Sequence, residues 1–119
     1  MRWAVACGPR LFVRGTQRIT AREERLNSPG KLPRAFAAYD LMDGKPRHFV
    51  LGRADAMEFA DVADFLKTYF QRTHGTGPQD ALCLDGGPSA QLVYREHGTL
   101  HDAEETGVLV PTAILLLPK

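Results

Sequence analysis

Residues 34–52, RAFAAYDLMDGKPRHFVLG, set Asp43-Gly44 between two β-prone runs. Aspartate followed by glycine tolerates the positive φ that a tight hairpin turn demands, so residues 34–40 and 47–52 are predicted to pair antiparallel. Downstream, apolar side chains fall at Phe59, Val62, Ala63, Leu66, Tyr69 and Phe70. That i, i+3, i+4, i+7 spacing, with Asp61 and Asp64 facing away, predicts an amphipathic helix from residue 58 to about 72. Asp55 and Glu58 suit a capping box, acids in the first turn suit the helix dipole, and Gly75 and Gly77 stop it. Further outward, strands are predicted over residues 3–6, 10–14, 80–84, 90–95 and 108–117, with a hairpin turn at 96–99. Residues 17–33 contain Asn27-Ser28-Pro29-Gly30, a strong breaker, and read as a loop. Hairpins around one helix argue for an α+β fold, an antiparallel or mixed sheet with the helix packed on one face.

A chain of 119 residues, 44% of them hydrophobic, reads as a single domain able to bury a core. Fifteen basic against 14 acidic residues leave a net charge of +1, so no overall field favours nucleic acid or an anionic membrane. Local charge must carry any anion binding. Residues 14–34 are the most biased, with Arg14, Arg18, Arg22, Arg25, Lys31 and Arg34 against Glu23 and Glu24. They read either as a contact for a phosphate-bearing ligand or as a solvated loop. Cys7 and Cys83 each sit in apolar, strand-like sequence, where a free cysteine behaves as a small hydrophobe. Neither the cysteines nor His48, His74, His97 and His101 show metal-ligand spacing, so no metal is inferred and no cofactor is expected. The apolar stretch at residues 3–7 is shorter than the roughly 7–15 residues of a signal-peptide core. The longest apolar run, 108–117, falls short of the ~20 residues that cross a bilayer as a helix.

The chemistry-bearing stretch is residues 81–94, ALCLDGGPSAQLVY. An apolar run stops at an acid and two glycines, so Asp85 is predicted to start a tight, exposed turn at a strand end. Successive backbone N–H groups in such a turn form an anion-binding concavity, and the Ser89 hydroxyl adds a donor. The alternative is a plain hairpin corner, with Asp85 in an Asx-turn and the glycines serving geometry only.

The run LDGGPSAQL at residues 84–92 resembles the signature of the phosphodiester glycosidase family, the domain type of the lysosomal uncovering enzyme. GPRLFV at 8–13, PRAFAAYD at 33–40, RHFVL at 47–51 and EFADVADFL at 58–66 follow the family's order. The Asp-Gly-Gly-Pro-Ser turn is the specific element. Nothing in residues 1–7 matches the family's N-terminal half, so the chain is expected to be the C-terminal portion of such a domain. The resemblance implies a small-molecule sugar phosphate as partner, and hydrolysis that releases a sugar from a phosphate monoester. Relatives are often exported; this sequence shows no address of its own. Asp85 becomes the candidate catalytic carboxylate, Arg34 the matching cation, and Gly86, Gly87 and Ser89 the substrate-binding groups at the turn. Most glycosidases use two carboxyl groups. Asp40, Asp43, Glu58 and Asp61 are available as the second, although Asp43 reads as turn chemistry and Glu58 and Asp61 as helix-start residues. Two other readings stand beside this: a non-catalytic carbohydrate- or phosphate-binding module, and an interaction domain whose exposed apolar patches make a homodimer.

Overall fold

The computed structural model describes residues 7–26, 30–102, 108–110 and 113–117. Within them lie β1 (Arg10–Val13), β2 (Thr16–Gln17), β3 (Leu32–Met42), β4 (Lys45–Met57), α1 (Phe59–His74), β5 (Pro78–Gly86), a 3-10 turn (Gly87–Ser89), β6 (Val93–Glu96) and β7 (Thr99–Asp102). The main sheet has the order β2-β1-β5-β3-β4, and every pairing in it is antiparallel. A separate hairpin pairs β6 with β7. The architecture is α+β, as the hairpin and helix signals predict.

The three hairpin turns share one device. Arg14-Gly15, Asp43-Gly44 and His97-Gly98 all have positive φ at both positions, the twist-matched geometry of two-residue hairpins. The predicted helix forms with its apolar stripe inward: Val62, Ala63, Leu66 and Phe70 are buried against Leu11, Phe36, Ala38, Ala81 and Cys83. Gly75 takes the left-handed conformation at its C-terminus and donates its N–H to Gln71 O at 3.1 Å. None of the described helices is long and apolar enough to cross a membrane.

Four expectations change. The capping box does not use Asp55: β4 continues to Met57, and the box joins Glu58 to Asp61, whose carboxylate accepts the Glu58 N–H at 3.0 Å. Residues 90–92 are not strand, because the Ala90 N–H still closes the turn on Gly87 O; β6 starts at Val93. A short β2, Thr16–Gln17, takes the first residue of the expected loop, and β3 takes its last two. The run 108–117 forms no strand in its described residues; Pro111 removes a ladder donor from its middle, and Leu109, Leu115, Leu116 and Leu117 are exposed. The strand expected over residues 3–6 lies outside the described residues.

Strand pleating divides the sheet into two faces. Phe36, Ala38, Ala81 and Cys83 point toward α1 and build the core. Ala35, Ala37 and Tyr39 alternate with them and point the other way.

Candidate functional site at the end of strand β5

At the end of the sheet the pairing register decides which groups meet. Ala35 on β3 pairs with Arg53 on β4 and with Asp85 on β5. Directly opposite residues of antiparallel strands share a face, so Arg53 and Asp85 stand on the side away from the helix, separated by the small Ala35. The neighbouring row is Ala54, Arg34 and Gly86, which faces the helix.

A bulge creates this arrangement. The β3–β5 register shifts between Ala35 and Phe36: Phe36 pairs with Cys83 while Ala35 pairs with Asp85, leaving Leu84 as the extra residue. In a regular strand residues 83 and 85 would share the core face. The inserted residue re-aims Asp85 outward, and Asp85 is exposed while Cys83 is buried.

Asp85 Oδ1 accepts the N–H of Gly86 at 2.7 Å. Gly87, at φ 65°, then turns the chain through the 3-10 segment. Ser89 is half-buried in that turn, and the Ala90 N–H closes it on Gly87 O at 3.1 Å. The thiol of Cys7 is pushed up from its ordinary value, first by burial and second by the negative charge of Asp85.

Arg34 is buried, 2% exposed, on the helix side. Its Nε donates to Met57 O at 3.2 Å, its Nη2 to Gly30 O at 3.2 Å, and the guanidinium lies 4.0 Å from the centre of the Phe59 ring. It ties the start of β3 to the end of β4 and the first residue of α1. Among the described residues no ion pair joins it to Asp85. It does govern Gly86: a Cβ there would sit 3.1 Å from Arg34 Nη1.

The cation on the Asp85 face is Arg53, which the sequence reading missed. Its side chain is 4% exposed, its Nε donates to Ala90 O at 2.7 Å, and its Nη1 pairs with the exposed carboxylate of Asp55. Arg53 thus fastens β4 to the far end of the Gly87–Ser89 turn. Asp55 stands two residues along the same strand, hence on the same face. Of the four second-carboxylate candidates, Asp43 sits in its turn at φ 52° and Glu58 and Asp61 cap the helix. Asp40 lies five residues along β3, ~17 Å away at 3.4 Å per residue. Of the basic segment, Arg18 pairs with Glu23 at 3.0 Å on the surface.

The groups gathered here are an outward carboxylate, the Ser89 hydroxyl in a tight turn, and a nearly buried guanidinium held on Ala90 O and Asp55. A family model described as phosphodiester glycosidase matches residues 1–117, which include every residue of this site. No curated protein and no solved structure matches. The chain belongs to the phosphodiester glycosidase family.

Proposed function

From that membership, we propose that the chain hydrolyses a sugar-1-phosphodiester. Water adds at the anomeric carbon, the bond from that carbon to the phosphate oxygen breaks, and the products are the free sugar and a phosphate monoester. Asp85 serves as the carboxylate that acts on the anomeric centre, as nucleophile or as base for the water. Asp55 is the second carboxylate on the same face. A phosphate is a good leaving group, so cationic and N–H stabilisation takes over much of the acid's work. Arg53 and the Ser89 hydroxyl supply it, with Gly86 and Gly87 letting the backbone come close. Arg34 supports the site from behind, holding Gly86 in register from the core side.

The observation that carries this reading is the row Arg53–Ala35–Asp85, turned to one face by the bulge at Leu84. Its test is turnover of an N-acetylglucosamine-1-phosphodiester by the purified chain. Asp85→Asn is expected to lower kcat at least a hundredfold while Tm stays within a few degrees. Arg53→Gln is expected to raise KM for the phosphodiester more than for a p-nitrophenyl glycoside. Undiminished turnover in Asp85→Asn removes that residue from the mechanism; equal losses on both substrates remove the phosphate role of Arg53.

A further inference from the structure

Two apolar features of the chain lie open and complement each other. The first is an edge. β4 closes one side of the main sheet, and among the described residues no strand pairs with its outer side. A long sheet edge presents N–H and C=O groups that template another strand. Lys45 and Arg47 on one flank of β4, and Arg53 and Asp55 on the other, are the charges expected of a blunted edge, but Phe49-Val50-Leu51 between them carries none. Phe49 and Leu51 pair with Tyr39 and Ala37 and face away from α1; Val50 pairs with Ala38 and packs on the core. The edge is therefore apolar on both faces here.

On the helix side the edge is extended by aromatic rings. Gly52 has no Cβ, and the Phe36 ring fills the space that one would need. That ring meets Phe65 of α1 edge-on at 6.2 Å between centres, and Phe65, itself exposed, stacks on Tyr69 at 6.0 Å. An open strand beside a helix that offers an apolar shelf is the setting in which an extended peptide adds to a sheet, its alternate side chains taken up by the groove. The second feature is residues 113–117, AILLL, which form no strand. Ile114, Leu115, Leu116 and Leu117 are all exposed, Leu117 to 79%. A single chain seldom leaves so much contiguous apolar surface in water. Consecutive large apolar residues give a strand two apolar faces, the pattern of one that is covered on both sides. The edge at residues 49–51 has the same two-sided character. Each copy of the chain thus brings one donor segment and one acceptor edge, and a two-fold exchange satisfies both and closes on itself.

We propose that two copies of the chain associate by exchanging residues 113–117, each segment adding as a strand to the β4 edge of the other copy at residues 49–51. One set of its side chains lies against Phe65 and Tyr69, the other against Phe49 and Leu51. The exchange uses none of the groups assigned to hydrolysis.

Light scattering after size exclusion, in reducing buffer, tests it over a series of chain concentrations. Twice the 13.2 kDa of one chain is expected, with hydrogen-exchange protection of the amides at 49–51 and 114–117 that rises with concentration. Leu115→Asp with Leu117→Asp, and Phe49→Lys with Phe65→Lys, alter exposed side chains, and each pair is expected to weaken association at least tenfold. An equimolar mixture of the two variants keeps one intact segment for one intact edge. It is expected to recover the doubled mass where each variant alone runs as a single chain. A single-chain mass for the parent, an undiminished dimer in either variant, no recovery in the mixture, or particles that grow beyond two copies would each overturn the proposal. So would protection at 49–51 that is independent of concentration, because the chain would then be covering its own edge.

Discussion

Gly86 and Gly87 are adjacent and are glycine for different reasons. Gly86 has extended backbone, φ −147°, and lacks room: an added methyl meets Arg34 Nη1. Because that guanidinium is anchored on Met57 O and Gly30 O, it yields poorly, and Gly86→Ala is expected to cost about 1–3 kcal/mol by overpacking. Gly87 has room, with nothing within 4 Å of a built Cβ, but sits at φ 65°. Gly87→Ala is expected to cost about 1–2 kcal/mol through backbone conformation. Urea denaturation of single and double mutants separates the two mechanisms. Arg34→Met should relieve the penalty at position 86 and leave that at 87 unchanged; equal coupling to both positions would refute the distinction. The turn at Gly87–Ser89 was legible in the sequence from its Gly-Pro-Ser, but Asp85, expected to start it, lies within β5, which runs on through Gly86. The companion of Asp85 was not legible.

Strand register explains why. Counting outward from the Asp43-Gly44 turn, where Met42 pairs with Lys45 and Leu41 with Pro46, an unbroken ladder would pair Arg34 with Arg53. The shift between Tyr39 and Leu41 instead brings Ala35 opposite Arg53. Periodicity and turn chemistry report which residues form strands and where chains reverse; they carry no signal for one extra residue inside a ladder. Such irregularities, beside Asp40 and at Leu84, decided which arginine shares a face with Asp85. The helix was legible for the opposite reason, because its apolar stripe repeats over four turns and needs no partner to define it. Its exact start was less so. Helix initiation rests on Asp61 reaching back to the Glu58 N–H, so Asp61→Ala is expected to cost about 1 kcal/mol in urea denaturation, whereas Asp55→Ala should leave helix stability unchanged. A larger loss from Asp55→Ala would restore the earlier cap.

Across the whole molecule, Asp40 ties three parts together: β3 that carries it, β4 through His48, and the segment after α1 through Thr76. Its folded carboxyl, at about 2, lies below the ordinary 3.8. A depressed folded value means that the unfolded chain takes up the proton first. The contribution of Asp40 is therefore complete above about pH 4 and is lost as pH falls toward 2. Urea midpoints measured from pH 6 to pH 2 should fall less steeply below pH 4 in Asp40→Asn than in the parent chain; parallel curves would refute the linkage. The hydrophobic run 108–117 illustrates the limit of composition at this scale. Its residue types favour a strand, yet Leu109 is 96% exposed, because composition does not say whether a sheet edge is within reach.

The partner across the ladder, Ala35, rather than the side chain at position 84, determines where the acid emerges. Exchange of Leu84 for another residue would keep the carboxylate in water. Excision of that position would seat Asp85 directly after Cys83, still opposite Ala35 in an unbroken ladder, so the carboxylate would keep its outward face and only the local kink would be lost.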